Sequence, residues 1–169
     1  MELICKNNND ITKQELEILF SMYLYNSNKI AQGKRHFNKV NNSTEYKENW
    51  INGLLKNDKN KYLICVENGN LIGFTIVSLE EKENYINDFQ IIDSYQHDGK
   101  TFRFLVEALL NNSNPDNDFK GRIWSENDNA KIVFKSMGAL IVDGKYQLSY
   151  KKAKEWFEKG PQEYNGGRR

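Results

Sequence analysis

The chain has 169 residues, in which 24 Lys and Arg stand against 23 Asp and Glu, for a net charge of +1. That length fits one domain able to bury a full core, and the charge balance excludes binding of nucleic acid through bulk charge. The composition is polar, with 38% hydrophobic residues, yet 12% aromatics and only two prolines point to a folded domain rather than to disorder.

In chain order, Met1-Glu2-Leu3 begins no signal-peptide pattern, and no apolar run approaches the roughly 20 residues needed to span a bilayer. A cytoplasmic protein without a membrane partner is the expectation. Thr12 and Glu15 have capping-box spacing, and Leu16, Leu19, Phe20, Tyr23 and Leu24 follow at helical intervals. Residues 25–41 are polar and aperiodic and read as a loop. A second helix opens at Asn42, with Glu45 three residues on, and carries Tyr46, Trp50, Ile51, Leu54 and Leu55 on one face.

The period then shortens to two. Residues 61–67 and 71–79 flank Glu67-Asn68-Gly69-Asn70, and Asn-Gly favours a type I′ turn, so a hairpin is expected. Cys65 lies in the apolar run of the first of these strands and reads as a buried, inert thiol. Cys5 is far from it and no CxxC pair exists, which sets aside a disulfide framework or a zinc site, and no metal is expected. A strand follows at 85–92, then a third helix marked by Phe102, Leu105, Val106, Leu109 and Leu110, which a loop over 111–118 with Pro115 ends. A short strand is expected at 122–125. Next comes a fourth helix with Ala130, Val133, Phe134 and Met137 on one face and Gly138 at its C-cap. Residues 140–142 and 146–150 form a last hairpin around Asp143-Gly144, and 151–159 either extend that strand or begin a helix. The order β-α-α-β-β-β-α-β-α-β-β describes an α+β or mixed α/β domain with one central sheet. It spans 1–159, and 160–169 read as a flexible C-terminal tail.

Chemistry concentrates in residues 91–101, Ile-Ile-Asp-Ser-Tyr-Gln-His-Asp-Gly-Lys-Thr. A glycine-bearing turn between a strand and a helix aims unpaired backbone N–H groups at one point, and the helix dipole adds positive potential there. Such a turn suits a phosphate or pyrophosphate, although a single glycine also serves an ordinary βα turn.

Gln96-x-x-Gly99-x-Thr101 resembles the Q/R-x-x-G-x-G/A loop of the GNAT superfamily of acetyl-CoA-dependent N-acetyltransferases. Ile91 stands where that family ends its fourth strand with Val, and Tyr95 where it has Tyr. Asn127-x-x-Ala130-x-x-x-Phe134-x-x-x-Gly138 resembles its N-x-x-A-x-x-x-Y-x-x-x-G-F helix at the same spacing. The resemblance covers about 62–150. It implies a mixed, mostly antiparallel sheet flanked by helices, with acetyl-CoA as the acyl donor. It also implies direct attack of a primary amine, a small molecule or a peptide, on the thioester.

By the same resemblance, the backbone around Asp98, Gly99, Lys100, Thr101 and Phe102, with Gln96, would hold the pyrophosphate. Phe89 and Ile91 would pair with the pantetheine arm, one of their amides polarising the thioester carbonyl. Asn127, Ala130 and Phe134 would line the cofactor slot. Asp88 would orient or deprotonate the amine.

Departures from the pattern bear on this. Phe134 lacks the hydroxyl of the family's Tyr, which protonates the leaving thiolate, and Asn87-Asp88 replaces an acidic pair found in polyamine-acetylating relatives. Thr101 replaces a small residue and either crowds the pyrophosphate or offers it a hydroxyl. Ala139 replaces a Phe. A CoA-binding sensor domain without turnover is therefore the alternative. Tyr85, Tyr95 and Ser125 are candidates for the missing acid. His97 and His36 read chiefly as solvated loop residues, Glu80, Glu81 and Glu83 as a solvated acidic turn, and Trp50 and Trp156 as packing. The sequence is compatible with a homodimer.

Overall fold

The computed structural model describes residues 1–31, 44–125 and 127–161. Seven strands form one sheet: β1 (Glu2–Asn7), β2 (Asn60–Glu67), β3 (Asn70–Leu79), β4 (Asn84–Ile91), β5 (Phe119–Arg122), β6 (Leu140–Val142) and β7 (Lys145–Leu148). Their spatial order is β1-β2-β3-β4-β5-β7-β6. All neighbours are antiparallel except β4 and β5. The helices are α1 (Lys13–Ala31), α2 (Thr44–Leu55), α3 (Lys100–Asn112), α4 (Asp128–Ser136) and α5 (Tyr150–Glu158). The expected α+β architecture is present.

Local signals account for most element ends. The Thr12 hydroxyl accepts from the Glu15 N–H, and the Glu15 carboxylate accepts from the Thr12 N–H, both at 3.0 Å, which closes the capping box of α1. Asn68 and Gly69 have φ of 51° and 78°, and Asp143 and Gly144 have 52° and 72°, so both hairpins turn on paired positive φ angles.

Three expectations need correction. The span 25–41 is not loop from its start, since α1 runs on to Ala31. Asn26 in that stretch is held from outside the helix: it is buried and donates to the Gln90 side chain and the Ile91 carbonyl, both at 3.0 Å. β5 lies three residues before the expected 122–125, because Gly121 interrupts the apolar alternation on its buried face. Residues 151–159 belong mainly to a helix, capped by the Ser149 hydroxyl, which accepts from the Lys152 N–H at 3.0 Å. The expected opening at Asn42, and residues 162–169 of the expected tail, lie outside the described residues.

The sheet is covered unequally. α1 and α2 pack Leu16, Leu19 and Ile51 on Tyr62, Ile64, Phe74 and Ile76 of one face. On the opposite face α3 and α5 bury Val106, Leu109 and Ala153 against Leu63, Val77, Ile86 and Phe119. Cys65 is buried and burial pushes its thiol up to about 11, the inert thiol expected. Among the described residues, no helix is long and apolar enough to cross a membrane.

Candidate active site

β4 and β5 pair only through Asn84↔Phe119, Tyr85↔Lys120 and Ile86↔Gly121. β4 then continues to Ile91 while the other chain leaves towards α4, so the strands part and leave a cavity of about 260 Å³. Asn87, Asp88, Phe89 and Gln90 form its β4 wall, and Arg122, Ile123 and Trp124 the facing wall. Asn127, which precedes α4, and Ala130 and Phe134 of α4 close one side with Tyr146, and Tyr23, Ser27, Ile30 and Trp50 of α1 and α2 close another. The rings of Tyr23 and Trp50 are stacked, 5.6 Å apart at 22°.

A bulge sets the β4 wall. Ile76 pairs with Asp88 but Val77 pairs with Ile86, so Asn87 is an extra residue that bends the strand and re-aims its neighbours. The Asn87 amide donates to Asn60 Oδ1 at 3.1 Å. Asp88 Oδ1 accepts from the Phe89 N–H at 2.9 Å and from Gln90 Nε2 at 2.6 Å. Burial pushes the Asp88 carboxyl up to about 6, against the pull of those two hydrogen bonds. A carboxyl that titrates near neutrality inside a cavity is suited to proton exchange with a ligand.

Beyond β4, the turn into α3 places Gly99 at φ 71°. The N–H groups of Lys100 and Thr101 converge on Asp98 Oδ1, at 2.9 and 3.3 Å. The first amides of α3 are thus capped by the chain's own Asp98 side chain. Gln96 turns back to donate to the Ile91 carbonyl at 2.8 Å, the oxygen that Asn26 also holds.

No family model matches this sequence, and no curated protein matches it. Solved structures do. The PaiA N-acetyltransferase of Thermoplasma acidophilum, in complex with coenzyme A, superposes with a TM-score of 0.59 at 14% identity, covering 88% of this chain and 98% of that one. An acetyltransferase of Thermus thermophilus gives 0.63 at 12%, covering 87% and 94%. The Campylobacter jejuni N-acetyltransferase PseH gives 0.56 at 15%, covering 87% and 97%. The chain has the GNAT fold. At these identities the likeness establishes the fold.

Within that fold, the residues singled out by sequence fall into two groups. Asp88, Phe89, Asn127, Ala130 and Phe134 share the cavity, while Asp98, Gly99, Lys100 and Thr101 form the α3 turn. Phe102 links them: its ring lies 5.2 Å from that of Phe89 and 6.4 Å from that of Phe134. Asn127 caps α4, its side chain accepting from the Ala130 N–H at 3.2 Å. Thr101 departs from expectation. Its side chain is fully buried, with the hydroxyl 4.0 Å from Met1 Sδ, so it faces inward and offers no hydroxyl to an anion at the turn.

The remaining candidates lie elsewhere. Tyr95 donates to Glu67 Oε2 at 2.7 Å, and Tyr85 and Ser125 are outside the cavity lining among the described residues. His97 is exposed, and His36 lies outside the described residues. Glu80 is tied to Ser78, Asn57 and Lys59, which hold its carboxyl below the usual range, so this turn is a structural knot. Trp156 packs edge-on to Phe102. Trp50, read from sequence as packing, reaches the cavity.

Sequence reasoning missed Tyr146, Tyr23, Arg122 and Trp124. Tyr146 is buried beside Phe134, ring centroids 4.6 Å apart, and brings a hydroxyl into the cavity lining. Burial pushes its phenol well above the ordinary value. Only the pairing Gly121↔Tyr146, a glycine opposite a large ring, could have signalled it.

Proposed function

We propose that this chain is an acetyl-CoA-dependent N-acetyltransferase acting on a primary amine. The observation that carries the reading is a parted β4/β5 slot lined by Asp88, on a sheet whose β4 leads into a helix start with converging amides. Coenzyme A in the PaiA structure on the same fold supports it.

The residues present fit such a donor. The amides of Lys100 and Thr101, freed from the exposed Asp98 side chain, are donors for a diphosphate. The carbonyl of Ile91 is a backbone acceptor for an amide-bearing arm, once Gln96 and Asn26 yield it. Acetyl-CoA, when bound, supplies the acyl carbon and a thiolate leaving group. Asp88 holds the incoming ammonium and takes its proton, so that the amine attacks neutral as the N–C bond forms and the C–S bond breaks. The Phe89 N–H, once Asp88 Oδ1 releases it, is the β4 donor for an acyl oxygen. Tyr146, whose phenol stays protonated, is a hydroxyl donor beside Phe134 for the departing thiolate. A thiolate with an ordinary pKa near ~8.5 departs without strong acid assistance.

A second reading is a CoA-binding domain without turnover. Phe134 has no hydroxyl, and Asn87 is committed to Asn60. Calorimetry with acetyl-CoA and a thiol-release assay over amines decide between them. Saturable binding with amine-dependent thiol release supports the acetyltransferase, binding alone supports the second reading, and absence of binding overturns both.

A further inference from the structure

The cavity has two charged walls. Asp88 stands on β4, and Arg122 stands across the slot on β5. Asp88 Oδ1 is engaged by Phe89 and Gln90, whereas the Arg122 side chain is exposed and has no hydrogen bond or ion pair to any described residue. A guanidinium that lines a cavity without a partner among the described residues is a ready partner for a carboxylate or phosphate, which its planar donors match in pairs.

The sheet face beyond Arg122 strengthens the point. Arg122 pairs directly with Lys145, and Lys120 with Gln147, so these four side chains share one face of β5 and β7. The other face carries the buried Phe119, Gly121, Tyr146 and Leu148. Neither Lys120 nor Lys145 has an acidic partner among the described residues. Asp118, two residues before Lys120, is taken by Gln147 Nε2 at 2.7 Å. The positive charge therefore continues outward from the cavity.

Resting on the acetyltransferase reading, the geometry points to an acceptor that is a small primary amine also carrying an anionic group, a carboxylate or a phosphate. Its ammonium meets Asp88, its anion meets Arg122, and the carbon chain between them lies against the stacked Tyr23 and Trp50. Arg122 is then a specificity-determining residue. It discriminates against polyamines, whose second cation would face a guanidinium instead of an anion.

The test compares four amines of equal chain length: an ω-aminocarboxylate, an ω-aminoalkyl phosphate, an ω-amino alcohol and an α,ω-diamine. Calorimetry with acetyl-CoA comes first, and failure to bind there overturns the acetyltransferase reading itself. With binding in place, the proposal expects one or both anionic amines to exceed the alcohol in kcat/KM by about ten-fold or more, as a charge-assisted contact would give. The diamine is expected to be poorest. Arg122→Gln should collapse that ratio to about two-fold or less through KM, and Arg122→Lys should restore part of it, with the acetyl-CoA Kd unchanged in both. A best rate on the diamine or the alcohol, turnover on none of the four, a ratio that survives Arg122→Gln, or a loss of acetyl-CoA affinity in that variant each overturns the proposal.

Discussion

The Tyr146 hydroxyl lies 2.5 Å from the point where a β-carbon on Gly121 would stand, and two of its ring carbons lie at 2.7 Å. Glycine at 121 thus makes room for a tyrosine ring that packs on Phe134 and lines the candidate slot. Gly121→Ala must displace the ring or the strand, and overpacking of this kind costs about 1–3 kcal/mol. The expected outcome is a lower Tm together with a lower kcat/KM. Tyr146→Phe in the same chain should relieve only part of the loss, because the ring carbons still clash. Thermal unfolding of the single and double variants checks this.

Asp88 couples stability to pH. Its folded carboxyl titrates at about 6, against 3.8 for the free group, so between those values the folded state binds more protons than the unfolded one. Stability therefore falls as pH rises through that window, and above pH ~6 the charged, desolvated carboxylate destabilises the fold by up to about 3 kcal/mol. Asp88→Asn should raise Tm at pH 7, flatten its pH dependence between pH 4 and 6, and remove most amine turnover. In the parent chain, turnover should fall as pH drops below ~6 and Asp88 becomes protonated. Paired melts and rate profiles over pH 4–8 read both effects.

Asp98 competes for the amides that a diphosphate would need. Asp98→Asn keeps a capping oxygen but removes the like charge, and acetyl-CoA affinity is expected to rise by about two- to five-fold at low salt, with a smaller gain at high salt. Gly99→Glu should act oppositely. It puts a side chain at φ 71° and adds a carboxylate beside the same amides. Calorimetric Kd values at two ionic strengths measure both variants.

Phe134→Tyr returns a hydroxyl to the α4 wall of the slot. It adds a second donor beside Tyr146 for a thiolate that departs without strong acid assistance, so kcat should rise by about two-fold or less while the acetyl-CoA KM barely moves. Steady-state thiol release gives the split.

Features encoded within one turn or one strand were legible before any tertiary contact was known. The Thr12/Glu15 capping box, the Asn68-Gly69 and Asp143-Gly144 turns and the apolar stripe of α3 are each encoded locally and act through short-range sterics and hydrogen bonds. The α3 turn was legible for the same reason, and its inner wall was not. Thr101 looks polar in sequence, yet packing against Met1, 100 residues away, turns it inward. The last turns of α1 were hidden in the same manner, since Asn26 is polar and its partners are on β4, 64 and 65 residues on.

The sequence alone determined the kind of domain and the glycine turn that opens α3. A chain with a net charge of +1 needs no bulk positive charge to hold a small anion when aligned backbone amides do the holding. Tertiary structure alone decided what shares the slot. Asp88 and Arg122, far apart in the chain, line one cavity because β4 and β5 part after three pairs. Tyr146 joins them because antiparallel pairing lays it over a glycine. Side-chain period within a strand says which face a residue takes, but not which other strand stands across the gap, and here the lining of the cavity depends on that second fact.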